Sequence, residues 1–458
     1  MPPDAFDDLD ELAQEAEVRP PEFSDDALAL EFSTRHDGQL LYVPAWSRWL
    51  RWDGSRWAED DTLRVFDLAR AVCRAAAARA EAEIEGKAGI RLARGVTSAK
   101  TIAAVERLAQ ADARHARRGD DFDADPWTLN TPAGIVDLRT GELRAPRRGD
   151  LVTKVTAAAP AGDCPRWLGF LDQITLGDKA LTAYLQRCVG YTLTGIIREH
   201  VFLFLHGPGG NGKTVLLSTT AAMLGDYATT AMADVFTVGH YDQHPTALAA
   251  LRGARMVVVT ETEAGRPWAE SRIKALTGGD RISARVMRGD PFEFSPAFKL
   301  WIAGNHRPTL RNPDPAMRRR LHLVPFTFVP PKPDTMLPDK LREELPGILA
   351  WAIRGCLSWQ HDGLTPPPVV QGASAEYFAE QDSVALWFAE RCERQRGHDT
   401  STRTLFLDFS QWSKGRNEDP GTERRFVDAM ERHAARRRTK TARVFTDVRL
   451  LPSETGAW

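Results

Sequence analysis

HGPGGNGKT, His206 to Thr214, is the stretch from which the rest of the chain is read. An apolar run, Val201 to Leu205, precedes it, and Val215, Leu216 and Leu217 follow. A buried strand, a glycine loop and the start of a helix, in that order, are the context in which G-x-x-x-x-G-K-T cradles phosphate instead of merely turning the chain. Gly207, Gly209, Gly210 and Gly212 are expected to adopt positive φ. They would bring successive backbone N–H groups around phosphate oxygens, with the positive end of the following helix behind them. On this reading Gly207, Pro208, Gly209, Gly210, Asn211, Gly212, Lys213, Thr214 and Val215 hold a nucleotide. Lys213 places its charge on the β/γ-phosphates, and the Thr214 hydroxyl is a ligand for Mg²⁺.

Working outward, Arg255 to Thr260 (RMVVVT) is a second buried run of the parallel-strand type, ending in Glu261 and Glu263. Residues two apart share a strand face, so both carboxylates would meet the crevice at the carboxyl edge of the sheet. There one acid can hold Mg²⁺ and the other can polarise the attacking water. A third run, Phe298 to Ala303, ends in Gly304 and Asn305, whose amide can donate to a γ-phosphate and accept from the lytic water. Between these runs, Arg281 to Met287 and Pro291 to Phe298 read as two strands joined by a tight turn. Arg288 sits at that turn, and with Lys299 it is a candidate contact to a nucleic-acid backbone. Next, DPAMRRRLHLVPF (Asp314 to Phe326) sets three arginines before an apolar strand. All three cannot be buried, and guanidinium geometry suits a developing phosphate charge, including that of a neighbouring subunit's nucleotide.

Composition restricts the alternatives. The 458 residues suffice for about three domains. Lys plus Arg (60) almost balances Asp plus Glu (62), so any electrostatic footprint must be local. The five cysteines are scattered without a metal or disulfide spacing, which fits a reducing, cytoplasmic setting. The start, MPPDAFDDLDELAQEAE, lacks the basic and apolar parts of a signal peptide, and no run approaches the length of a membrane span, so no membrane partner is expected.

The flanks divide the chain. An acidic leader is expected over 1–27. In the region that begins at Leu28, LLYVPAWSRWLRWDGSRW (Leu40 to Trp57) reads as a hairpin turning at Asp53-Gly54, its tryptophans more often core than base-stacking platforms. Two alanine-rich helices should cover Thr62 to Glu85 and Thr97 to Arg117. DFDAD, with Asp121, Asp123 and Asp125, reads as a solvated loop before Pro126 rather than a metal site. GIVDLRTGELRAP is a second hairpin, and Trp167 to Leu193 a helical collar. Beyond the core, Leu337 to Trp359 reads as helix and Pro366 to Pro368 as a linker. From Arg424 to Arg449 nine Lys/Arg oppose three Asp/Glu, and alternation toward Leu450 suits a β-wing. A winged-helix domain would set Arg436, Arg437, Arg438 and Lys440 on DNA phosphates. The expected domains are 1–27, 28–125 (mixed α+β), 126–196 (hairpin and collar), 197–330 (α/β P-loop core), 331–381 (helical lid and linker) and 382–458.

HGPGGNGKT, VVVTETE, the hairpin with PAFKLWIAGN, and AMRRRLHLVPF together resemble the superfamily 3 helicases, in particular the helicase part of phage and plasmid primase-helicases and their poxvirus relatives. The resemblance implies an AAA+ core of parallel strands flanked by helices and a hexameric ring moving 3′ to 5′ on single-stranded DNA. ATP and Mg²⁺ are the cofactors it implies. It matches Lys213 and Thr214 to Walker A, Glu261 and Glu263 to Walker B, Asn305 to motif C, and Arg319 or Arg320 to an arginine finger. Thr262 separates the two acids, which many members place side by side, so either glutamate could hold the metal. The function expected is an ATP-dependent DNA helicase of phage, plasmid or other mobile-element replication. It would act on single-stranded and forked DNA, without its own primase, alongside a separate primase or polymerase. The alternative is an ATP-switched origin-binding initiator or loader that does not unwind processively.

Overall fold

Five parallel strands carry the molecule: β1 (Phe202–His206), β2 (Ala228–Ala231), β3 (Met256–Thr260), β4 (Lys299–Gly304) and β5 (Leu321–Pro325), in the spatial order β5-β1-β4-β3-β2. The computed structural model describes residues 19–238, 246–260, 267–286, 289–310, 314–416, 419–439 and 442–452. The strands are apolar on both faces because both are covered, as parallel sheets require. Leu203, Leu205, Met256, Val258, Trp301, Ala303 and Val324 point into one core. Phe202, Phe204, Val257, Val259, Leu300, Ile302, Leu321 and Leu323 point into the other. This α/β core is the expected fold class.

The first face is covered by α1 (Pro165–Ile174), α2 (Lys179–Thr192), α3 (Lys213–Leu224) and α5 (Leu345–Asp362), which contribute Trp167, Tyr184, Leu216, Ile348 and Trp359 to that core. The second is covered by α4 (Glu270–Gly278), by the antiparallel hairpin Ile282–Arg285/Pro291–Phe294, and by α6 (Pro368–Glu380). The proline run at 366–368 is therefore not a linker. Pro368 opens α6, where its missing N–H would be unpaired in any case. The helix is fastened by Ser374 Oγ, which accepts from Leu323 N at 3.0 Å, and by the buried Tyr377 hydroxyl, which accepts from Trp268 Nε1 at 3.0 Å and donates to the Pro308 carbonyl. The single helix expected over Leu337 to Trp359 is two, Leu337–Arg342 and α5, with Pro346 in the first turn of the second.

Ahead of this core, the leader expected over 1–27 overlaps a helix, Asp25–Arg35, whose N-cap Ser24 accepts from Ala27 N at 3.2 Å. Strands Leu40–Val43, Arg48–Trp52 and Trp57–Glu59 form an antiparallel sheet. Trp49 and Trp57 are core residues, 8% and 2% exposed, their indole N–H groups donating to the Glu106 carboxylate and the Arg148 carbonyl. Three helices follow instead of two, Arg64–Glu83, Lys87–Val96 and Ala99–Ala109. The middle one escaped the sequence because glycines interrupt it; at Gly89 an added Cβ would lie 2.1 Å from the Ile84 carbonyl oxygen. Asp123 accepts from Thr153 N at 3.0 Å, and Asp125 accepts from Trp127 N at 3.0 Å and pairs with Arg139 at 3.1 Å. These acids fasten loops, and among the described residues no His/Cys/Asp/Glu group is placed to hold a metal.

At the other end, helices Ser383–Arg391, Thr402–Gly415 and Glu423–Met430 and two small antiparallel sheets enclose Trp387, Phe409, Phe426 and Phe445. Among the described residues no helix is long and apolar enough to cross a membrane.

One contact between the helical layer and the sheet gives stability an acid dependence. The Tyr184 hydroxyl on α2 and His322 Nδ1 on β5 are hydrogen-bonded at 2.5 Å, and burial pulls His322 from 6.5 down to about 4. The unfolded imidazole takes up a proton below about 6.5 while the folded one resists it, so stability is full above that pH and falls as pH drops toward about 4. Between about pH 7 and about pH 5, His322 should account for a loss of about 2 kcal/mol. Urea unfolding of His322→Gln should show a shallower decline over that window; an unchanged decline would refute it.

Candidate nucleotide site

Strand register brings the site together. Gly304 pairs with His206, Ala303 with Thr260, and Pro325 with His206, so the carboxyl ends of β5, β1, β4 and β3 finish level. The loop after β1 turns within this edge. Gly207 has φ 157°, and a Cβ there would sit 1.9 Å from the Phe326 carbonyl oxygen. Gly212 has φ 89°, and a Cβ would strike Ile174 at 2.8 Å and the Phe170 ring at 3.0 Å. Gly210 also has positive φ, whereas Gly209, against expectation, does not. The first turn of α3, beginning at Lys213, faces a cavity of about 470 Å³. An anion at that end meets unpaired backbone N–H groups and the positive end of the helix.

Lys213 is 5% exposed, and burial holds its ammonium below the ordinary lysine range. Its Nζ donates toward Gly207 O (2.7 Å), Pro208 O (2.9 Å), Asn211 Oδ1 (2.9 Å) and Asn305 Oδ1 (3.0 Å). The sequence-predicted Lys213 and Asn305, 92 residues apart, are thus in contact. Thr214 is exposed to the cavity with no side-chain partner among the described residues, as a hydroxyl ligand to a phosphate-bound cation would need to be. Strand β3 ends at Thr260, which lines the cavity. Glu261 and Glu263 lie outside the described residues, as do Arg288 and Lys440.

The arginines before β5 separate by environment. Arg320 is 8% exposed; its guanidinium donates to Thr277 Oγ1 at 3.2 Å and Ala316 O at 3.1 Å. It is committed within its own chain, which corrects its candidacy as a finger. Arg318 lies 4.9 Å over the Phe378 ring, and Arg319 is exposed without a side-chain partner among the described residues. Lys299 is a second correction. It is 3% exposed, donates to the Thr194 carbonyl and hydroxyl, and sits 4.5 Å over the Tyr191 ring. A cation so enclosed cannot touch DNA. In the C-terminal body Arg436 pairs with Glu431 at 3.4 Å and Arg437 with Asp399, while Arg438 is exposed.

Sequence reasoning missed the apolar end of the cavity. Phe170, Gln173 and Ile174 of α1 form one wall, and Phe328, Pro330 and Leu337 form part of another. The first set had a signal, the i, i+3, i+4 spacing along a helix. In the second, Phe328 and Pro330 lie in irregular chain with no period to find, and Leu337 opens the short helix Leu337–Arg342. Arg307 was also missed: it pairs with Glu380 of α6 at 2.8 Å and approaches His206 Nδ1 at 3.5 Å.

Two family descriptions match the chain. "D5 N terminal like" covers residues 25–176, and a family of unknown function (DUF5906) covers 205–320. A protein of Acanthamoeba polyphaga mimivirus named a putative helicase is 31% identical over 160 residues, 34% of this chain and 17% of that protein. One of Frog virus 3 (isolate Goorha), named likewise, is 27% identical over 272 residues, 54% of this chain and 28% of that protein. The chain therefore spans between about a sixth and three tenths of the length of these relatives. In fold it is similar to the solved apo structure of the NrS-1 C-terminal region, with a TM-score of 0.52 at 11% identity, covering 93% of this chain and 98% of that one.

Proposed function

We propose, from the premise that this chain is a relative of viral helicases with a D5 N terminal-like region joined to a P-loop domain, that it is an ATP-dependent DNA helicase of the superfamily 3, AAA+ type. The observation that carries this reading is the contact of Lys213 with Asn305 at the rim of a 470 Å³ cavity. The motif lysine and the candidate sensor amide meet where a γ-phosphate would lie. In this proposal the backbone of Gly207 to Val215 holds the phosphates, Lys213 neutralises their charge and Asn305 orients the attacking water. Thr214 and one of Glu261 and Glu263 hold Mg²⁺, which supplies charge neutralisation at the phosphates; the other glutamate polarises the water. Exposed Arg319 serves a neighbouring copy's nucleotide, so a ring, taken as a hexamer, is needed for turnover.

The α1–α2 pair is the collar of that ring, and the hairpin carrying Arg288 follows single-stranded DNA 3′ to 5′. Residues 382–458 act as a winged helix, with Arg436, Arg437, Arg438 and Lys440 toward DNA phosphates. Replication of viral, phage or plasmid DNA in the cytoplasm is the setting, at forks served by a separate primase or polymerase.

Duplexes with a single 3′ or 5′ tail, incubated with the chain and MgATP, test this, with the mass of the assembly measured with and without nucleotide. Displacement from the 3′-tailed duplex by a nucleotide-supported ring is expected. Hydrolysis with displacement from neither substrate would replace the motor by an ATP-switched initiator or loader.

A further inference from the structure

Asn211 was read from the sequence only as a member of the phosphate loop, yet its side chain turns away from solvent and is 2% exposed. Both halves of its amide are engaged. Oδ1 accepts from Lys213 Nζ at 2.9 Å, and Nδ2 donates to the carbonyl oxygen of Phe326 at 2.6 Å. Phe326 directly follows β5, and its own N–H donates to His206 O at 2.7 Å. Gly207 makes room for the arrangement, since a Cβ there would lie 2.5 Å from Asn211 Nδ2. Lys213 in turn reaches Asn305 just beyond β4. An unbroken line of hydrogen bonds, Phe326 O to Asn211 to Lys213 to Asn305, therefore runs across the carboxyl ends of β5, β1 and β4.

We infer that Asn211 is a positioning residue, which holds Lys213 in register and ties it to β5, the strand that begins one residue after Arg320 and two after Arg319. The inference deepens the nucleotide reading of the same site. An amide suits this place because it donates on one side and accepts on the other. A carboxylate could accept from Lys213 but not donate to Phe326 O, and an alanine could do neither. A five-residue strand bonded along its length to β1 moves as a unit, so displacement at the arginine end reaches Lys213 through the two hydrogen bonds of one side chain, Asn211.

The test uses the full chain as wild type, Asn211→Ala and Asn211→Asp. The first readout needs no nucleotide: acylation of Lys213 by an amine-reactive ester, followed by peptide mass spectrometry. Asn211→Ala removes an acceptor, so Lys213 should be labelled several-fold faster, whereas Asn211→Asp should keep it slow. The second is steady-state ATP hydrolysis with DNA, in which both variants should lose about 10²-fold in kcat with KM changed less than about threefold, the mark of lost positioning rather than lost binding. Wild-type labelling and kcat in Asn211→Ala would overturn the inference, and so would an equal rise in KM with kcat intact. If Asn211→Ala does not fold, Asn211→Asp decides the matter: kcat equal to wild type would overturn it. Should ATP neither protect wild-type Lys213 from labelling nor be hydrolysed, the nucleotide reading falls, while the labelling comparison still decides whether Asn211 holds Lys213.

Discussion

Lys213→Ala should lower DNA-stimulated ATP turnover by about 10²–10³-fold, the usual cost of removing one preorganised charge donor from a reacting centre. The side chain that would be lost gathers four oxygens from the loop, Asn211 and Asn305, and it is the sole cation whose ammonium reaches both the loop carbonyls and the β4 terminus among the described residues. Its depressed basicity comes from burial, so it approaches phosphate poorly hydrated and interacts strongly. The packing beneath is independent of it, because α3 is anchored by Leu216, Leu217, Met223 and Leu224. The variant should therefore stay folded, with a drop in unfolding midpoint limited to the loss of the hydrogen bonds that Lys213 donates. Unaltered phosphate release by a folded variant would remove Lys213 from the chemistry.

The paired substitutions Arg319→Ala and Arg320→Ala should fail in different ways. Arg319→Ala should retain wild-type stability and assembly mass and lose about 10³-fold or more in turnover, the scale of an arginine finger. Mixing it with Lys213→Ala should restore part of the activity. A Lys213→Ala subunit still offers its Arg319 to the intact P-loop of an Arg319→Ala neighbour. No restoration, with mixed assembly demonstrated, would argue against action in trans. Arg320→Ala removes the two charge-assisted hydrogen bonds that the buried guanidinium donates to Thr277 Oγ1 and Ala316 O, at a cost of about 1.5–3 kcal/mol. Its expected sign is a lowered denaturation midpoint, with any loss of turnover following from that. A stable, assembled and inactive Arg320→Ala would reverse the assignment.

Legibility in the sequence followed the range of the interactions. The three motif strands were readable because each apolar run is bounded by its own turn chemistry, and the loop because its glycines and Lys213 lie within nine residues. The tryptophan-rich stretch was readable as a hairpin, and Trp49 and Trp57 pack as core. The helix Lys87–Val96 and the start of α6 at Pro368 were not readable, since glycine and proline there signal interruption while packing against neighbours decides for helix. Lys299 shows the limit most clearly. A lysine after a hairpin is exposed by default, yet the Thr194 carbonyl and the Tyr191 ring, more than a hundred residues earlier, enclose it.

The sequence by itself determined that this chain has a glycine-rich loop of the phosphate-binding pattern between a buried strand and a helix, followed in order by acids, an asparagine and arginines, because those signals are local and periodic. Only the tertiary structure decided which groups share the crevice, that Arg319 is exposed while Arg320 is buried, and that Asn211 joins Lys213 to a carbonyl 115 residues away. Strand order and register fix those choices, and they arise from packing two apolar faces at once, which no single stretch of the chain encodes.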